Sequence, residues 1–252
     1  MNHKIKEFIR SELSGWTAPE VSWLLFCCAA VTACSWSTDT LIGILSAVTG
    51  ILNVILNGKG KVSSYLFGLI NIVLYTYISY SARFYGMAML YALYFFPMNI
   101  YGFFSWSRHI DSETCEVEKR RISARWRWIS ALTVIAAAGI YGYGLQRLGG
   151  SLPYIDALIT SLSIVAMAAT VKRCYEQWVM WIIADVITAV MWAIDCSRGS
   201  SSIATLMMWI IFVINGVIMY VRWRREVQRR SDAAESRPES CGGQYRGCSE
   251  DC

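Results

Sequence analysis

Charge is scarce in this sequence: 16% of its 252 residues are Asp, Glu, Lys or Arg, where a soluble domain carries about a quarter. Histidine is scarcer still. The two, His3 and His109, both lie outside the apolar stretches, so neither is expected to serve an intramembrane proton relay. Nine cysteines are present without a single CxxC pair, which argues against structural zinc. Cys27, Cys28, Cys34, Cys174 and Cys196 fall in or beside apolar stretches, where cysteine acts as a small hydrophobe. HExxH, GxSxG and Walker-type motifs are all missing, as is any pair of catalytic carboxylates inside the spans, Asp156 and Asp195 sitting at span ends. Those gaps speak against intramembrane hydrolysis, metal catalysis and ATP-driven pumping. No enzyme activity, cofactor or metal is expected.

What fills the sequence instead is hydrophobic residues, 55% of the total, with a mean hydropathy of +0.39. Apolar runs recur at 21–36, 41–57, 62–80, 84–107, 128–146, 154–171, 177–195 and 202–223. Most approach the roughly 20 residues needed to cross about 30 Å of hydrocarbon. They are continuous rather than alternating, which excludes a porin-like barrel. The class is an all-α polytopic membrane protein. If all eight runs cross, the basic residues sort to one side, and only Arg83, Arg147 and Arg198 fall on the other. By the positive-inside rule both termini are expected in the cytoplasm, and the net charge of +5 reads as a topology signal rather than a nucleic-acid footprint.

The runs group as one, three, one, three. Residues 1–40 form an amphipathic lead-in and an extra helix; 41–107 a first three-helix bundle; 108–153 a solvated, charged cytoplasmic linker and a connecting helix; 154–225 a second bundle; 226–252 a disordered basic and Ser/Gly-rich tail containing Cys241, Cys248 and Cys252. With that tail in the cytoplasm, stable disulfides are not expected there. Each triplet has a polar residue in mid-span of its second helix (Asn71; Asp185), another in its third (Asn99; Asn215) and an aromatic-basic close (Trp106-Ser107-Arg108; Trp223-Arg224-Arg225). One helix lies between the triplets, so they share an orientation. That is the parallel-repeat plan, with substrate near the midplane between the halves.

The residue pattern points to a site. Trp178, Trp181, Asp185, Thr188 and Trp192 recur at spacings of 3, 4, 3 and 4 and so share one helical face. A carboxylate within an apolar span is costly, and it tends to face a bundle interior or a watery cavity. Asn71 with Tyr75, Asn99 in FFPMNIYGFFSW, and Asn215 with Trp209 add polar and aromatic groups at comparable depth on other helices. Taken singly each asparagine can be helix glue; together they outline a shared cavity of Trp181, Asp185, Thr188, Trp192, Asn215, Asn71, Tyr75, Asn99 and Trp209. Tryptophan faces attract cations and stack on flat rings, while amides and a carboxylate pair with hydroxyls or a carboxamide. The expected small-molecule ligand is neutral or cationic, with a flat ring and hydroxyls. Trp16, Trp36, Trp106, Trp126, Trp128 and Trp223 are assigned to interfacial belts and left out of the site.

EQWVMWIIADV at the start of the penultimate run, Tyr220 and Trp223 in a Y-x-x-W close, and FYGMAMLYALYFFPMNIYGFFSW at 84–106 together resemble the PnuC family of bacterial vitamin B3 transporters over about 40 to 225. The resemblance implies a SWEET-like 3+1+3 fold in the inner membrane. It also implies facilitated diffusion of nicotinamide riboside, and a functional link to a cytoplasmic kinase that traps the riboside by phosphorylation. Relatives carry thiamine or riboflavin, so these stay open as substrates. The proline-glutamine signature of SWEETs is absent, and Pro97 and Pro153 alone punctuate the bundles. Small residues at 134–144 offer a face for packing against a second copy.

Overall fold

The computed structural model describes residues 9–82, 84–110, 116–147, 153–199 and 203–235. After a helical turn at 9–13 come α1 (Ala18–Ser35), α2 (Leu41–Lys59) and α3 (Ser64–Ser81). Then α4 runs in three parts, α-helical over Tyr85–Met89, π-helical over Leu90–Phe95 and α-helical again over Phe96–Ser107; α5 (Ala124–Arg147), α6 (Pro153–Val171), α7 (Gln177–Ser197) and α8 (Ile203–Glu235) follow. Among the described residues there is no strand, only the isolated bridges Ile110–Val117 and Arg120–Cys174. The helices match the eight expected runs, but seven are both long and apolar enough to cross a membrane. The exception is α3, whose Ser64, Tyr65, Asn71, Tyr75 and Ser79 are all buried. Those five groups face protein, while Tyr77 and Tyr80 are exposed.

Packing follows a pseudo-two-fold plan. α2 lies on α3 and α8, and α6 lies on α7 and α4; α3 pairs with α4 as α7 does with α8. The outlying helices obey the same relation in part, α1 resting on α2 and α8, and α5 on α6. Two three-helix bundles running in the same direction, joined by α5, make the architecture. Local chemistry sets the turns. Thr40 Oγ1 accepts from Gly43 N at 3.1 Å to start α2. Gly60, at φ 77°, ends it in a left-handed cap, Gly60 N donating to Asn57 O and Lys61 N to Leu56 O, both at 2.9 Å. The α6–α7 turn repeats this pattern: Arg173, at φ 62°, donates to Thr170 O at 2.9 Å and Cys174 N to Ala169 O at 3.0 Å. At the opposite end Asp39 accepts from Thr40 N at 2.8 Å and from Ala204 N at 2.9 Å, tying the starts of α2 and α8 together.

The basic end departs from the sequence reading. Part of the expected solvated linker is packed: Glu116, Val117 and Lys119 are buried, while Arg108, Glu118, Arg120 and Arg121 are exposed. Lys119 Nζ pairs with Glu116 at 2.7 Å and with Glu226 at 2.5 Å, and Lys59 with Glu20 at 2.8 Å and with Glu116 at 3.2 Å. Arg222 bridges Glu20 and Glu116. Alternating signs within reach of one another satisfy each buried charge, which a composition-based reading of the linker does not reveal. The tail is also revised. α8 continues to Glu235, so 226–235 is helix, and the remainder of the expected disordered segment lies outside the described residues, as does His3.

Close approach of helices constrains small residues. A Cβ at Gly102 would enter the Tyr65 ring, so Gly102→Ala is expected to cost about 1–3 kcal/mol of stability by overpacking, read as a lowered melting temperature in detergent. Burial pushes the Glu116 carboxyl up, but Lys119, Arg222 and Lys59 outweigh it and hold it below its ordinary value of 4.5. A depressed carboxylate contributes stability above its unfolded-state pKa and loses it as pH falls through the folded one. The melting temperature should therefore fall on acidification below 4.5, and by less in Glu116→Gln.

Candidate functional site

A central cavity of about 90 Å³ lies between the two bundles. Of the predicted residues, Asn71, Asn99, Trp181, Asp185 and Trp209 line it. α7 supplies Trp181 and Asp185 from one face. Trp181 is held by its Nε1, which donates to Thr170 Oγ1 at 2.9 Å, and Phe95 meets its ring edge-on at 6.0 Å between centroids. Asp185 is 3% exposed and is the only charged residue among the described residues of the lining. It has neither a hydrogen bond nor an ion pair among the described residues. Asn71 Nδ2 donates to Ser46 O at 2.7 Å, and Asn99 Nδ2 to Phe95 O at 3.0 Å, so each amide is anchored at its nitrogen. The Trp209 Nε1 is buried with no hydrogen-bond partner.

Tyr75, Thr188, Trp192 and Asn215 are not in the lining. Thr188 Oγ1 donates back to Ala184 O at 2.8 Å, a bond within its own helix that satisfies the hydroxyl. Asn215 Nδ2 reaches Val54 O at 3.2 Å and joins α8 to α2. Counting from the pseudo-equivalent tryptophans explains the difference. Asn99 lies seven residues before Trp106, whereas Asn215 lies eight before Trp223; one residue is about 100° of helix rotation, enough to turn a side chain off a face. Tyr75 and Trp192 are both fully buried and form a layer at the end away from the basic loops. There Trp192 Nε1 donates to Tyr75 OH at 2.9 Å, and Tyr75 packs on Tyr91 at 4.6 Å and Trp209 at 5.8 Å. These two residues close the cavity rather than line it.

At the basic end lies a second aromatic layer, part of which the sequence reading assigned to interfacial belts. Trp36, Trp126 and Trp128 are exposed, consistent with a belt, but Trp106 and Trp223 are fully buried. Trp106 Nε1 donates to Thr170 O at 3.1 Å, in the last turn of α6, and Trp223 Nε1 to Gly58 O at 2.7 Å, in the last turn of α2. Tyr65 meets Trp106 edge-on at 5.1 Å, and Trp178 meets Trp223 in the same way at 5.7 Å. Position in a terminal W-x-R motif favoured the belt assignment; the bundle interior claims these rings because their N–H groups find helix-end carbonyls there.

Sequence reasoning missed further lining residues: Asn53 and Asn57 on α2, Tyr65 on α3, Tyr91 and Phe95 on α4, and Trp178 on α7. Asn53 and Asn57 stand four apart, a one-face spacing that was available as a signal. Trp178 sits on the recognised face of α7 and is separated from the belt residues only by its burial. Tyr91 and Phe95 owe their placement to the π-helical stretch Leu90–Phe95 just before Pro97, which re-aims side chains in a way α-periodicity does not anticipate.

The family model described as "Nicotinamide mononucleotide transporter" matches residues 40–225. The chain is similar to the nicotinamide riboside transporter PnuC of Neisseria mucosa, at 36% identity over 88% of this chain and 87% of that one. It is also similar to the protein of the same name from Haemophilus influenzae, at 30% identity over 72% of this chain and 81% of that one. A crystal structure of the vitamin B3 transporter PnuC superimposes with a TM-score of 0.80 and 33% identity, covering 88% of this chain and 98% of the other. With its all-helical fold, seven apolar spans and central cavity, the chain belongs to the nicotinamide mononucleotide transporter family, a family of membrane transporters and not of enzymes.

Proposed function

We propose that the protein carries nicotinamide riboside across the bacterial inner membrane by facilitated diffusion. Segments 41–107 and 154–225 rock against each other to give alternating access, both termini face the cytoplasm, and phosphorylation there traps the riboside. The names of the relatives support the substrate class. The observation that carries the reading is Asp185, a carboxylate inside an aromatic cavity that contains no Lys, Arg or His. An ionised carboxylate buried without a counter-charge is costly. A pyridinium ring held among Trp181, Trp209 and Asp185 supplies that charge and stacks on the indoles. The asparagines then serve the ribose hydroxyls and the carboxamide.

The same observation separates the riboside from the mononucleotide named in the family description. A phosphate dianion would enter a cavity with one negative and no positive side chain, an electrostatic mismatch that the riboside avoids. Binding to purified protein by calorimetry is therefore expected for nicotinamide riboside and not for nicotinamide mononucleotide, with thiamine and riboflavin as further comparators. Equal affinity for riboside and mononucleotide would sink the charge argument, and preference for thiamine or riboflavin would change the substrate. Asp185→Asn keeps the shape and removes the charge, and should weaken riboside binding about tenfold or more, a loss of about 1.4 kcal/mol. In proteoliposomes the wild type should take up labelled riboside without any imposed ion gradient. Orientation is checked separately: green fluorescent protein fused after Cys252 should fluoresce, and alkaline phosphatase at the same place should be inactive.

A further inference from the structure

The segment between the two halves crosses the basic end directly over the pseudo-two-fold axis. Val117 N donates to Gly60 O at 3.1 Å, and Arg120 N to Arg173 O at 2.9 Å. Gly60 and Arg173 are the left-handed residues of the two equivalent turns. One short piece of backbone thus holds the corresponding carbonyl in each half. Tyr175 N closes a second bond to Arg120 O at 3.0 Å, and Ile122 N donates to Glu176 Oε2 at 3.1 Å. Beneath the segment lie Trp106 and Trp223, their centroids 6.4 Å apart, with Lys119 Nζ 5.5 Å from the Trp223 ring.

We propose that residues 116–120 are the cytoplasmic latch of the carrier. The segment fastens the two halves while the cavity is closed on that side, and it must let go of the second turn each time the cavity opens inward. This rests on the alternating-access reading above, since halves that rock apart at this end would carry Gly60 and Arg173 away from each other. The two attachments differ in strength, and the difference selects which one yields. At the first turn Glu116 and Lys119 are buried in the ion cluster with Lys59, Arg222 and Glu226. The segment meets the second turn through three bonds from main-chain donors, and the Arg120 side chain is 42% exposed. A few main-chain hydrogen bonds open at lower cost than a buried network of charges.

The test uses a native thiol. Arg120 and Cys174 are paired as in a parallel ladder; such residues lie about 4.8 Å apart, within the roughly 4.4–6.8 Å between Cα atoms that a disulfide bridges. Arg120→Cys, oxidised in proteoliposomes and with the disulfide from the introduced thiol to Cys174 verified by peptide mass spectrometry, should lower riboside uptake about tenfold or more. Reduction should restore uptake, and calorimetric binding should stay within about threefold of wild type. Undiminished uptake with the bond fully formed would overturn the latch, and so would a parallel loss of binding, which would make the segment part of the site's structure. If the reduced protein itself carries no riboside, it is the transport reading that fails. A second measurement needs no substitution. Cys174 is 2% exposed under the segment, so its maleimide labelling, read by mass spectrometry, should rise about tenfold during riboside exchange; labelling that does not respond to riboside would count against release.

Discussion

Inside a bilayer a polar group has no water to fall back on, so each must find a partner in the protein. This single constraint sorts the polar residues of the chain. Ser and Thr hydroxyls such as Thr76, Thr170 and Thr188 turn back on their own helices. Asn71 and Asn215 spend their amide nitrogens on α2 and so fasten α3 and α8 to it. Other buried groups have no hydrogen-bond partner among the described residues, including Ser35, Ser64, Thr160 and Gln177 away from the cavity. Three of them, the Trp209 and Trp178 indole nitrogens and the Tyr65 hydroxyl, line the cavity that also holds Asp185. Unsatisfied polarity in a protein interior otherwise costs about 1–3 kcal/mol per group. Three such groups and a carboxylate around a shared space are what the riboside proposed above would satisfy.

The fold was legible because hydrophobic length is a strong and local signal. Eight runs became eight helices, and short connections such as residues 60–63 left few ways to arrange them. Half of the site was legible for a similar reason: Trp181 and Asp185 share a face whose chemistry is unusual for a span. What failed was depth and rotation. Trp192 and Tyr75 lie within reach of the cavity by periodicity, yet one hydrogen bond between them, with the rings around it, makes a closing layer. Asn215 repeats Asn99 in the sequence pattern but is one residue out of register, and a helix converts that offset into a different face. Trp106 and Trp223 were misassigned because amphipathic rings near span ends look alike whether they face lipid headgroups or a neighbouring helix terminus. The π-helical stretch before Pro97 has no periodic signature at all.

Pseudo-symmetry gives the two ends of the cavity different characters. At the basic end the halves contribute matching parts: Tyr65 and Trp178, Trp106 and Trp223, and two turns with the same hydrogen bonds. At the other end the closing layer is mixed, with Tyr75 and Tyr91 from the first half, Trp192 and Trp209 from the second, and Asp39 tying the helix starts. A symmetric closure can open by a small rotation about its own axis, which breaks equivalent contacts together. The mixed layer turns on one cross-bundle hydrogen bond between Trp192 and Tyr75. The cavity is therefore bounded by two aromatic layers of different construction.

The two turns are alike in geometry and unlike in sequence, and this asymmetry bears on how the basic end works. The left-handed position is glycine in the first half, which adopts it freely, and Arg173 in the second, where a side chain makes that conformation cost about 1–2 kcal/mol. Such a residue persists only where its surroundings over-determine it, and here the surroundings are its neighbours in the turn and the segment 120–122. The second turn and the strand-like segment across it therefore stabilise each other. Separating them removes part of what holds Arg173 in place, and the turn is then free to relax. The first turn, relaxed from the outset and pinned by the charges around Lys59 and Glu116, has no comparable response. Coupling between the linker and the loop it covers is thus concentrated in one half of a nearly symmetric molecule.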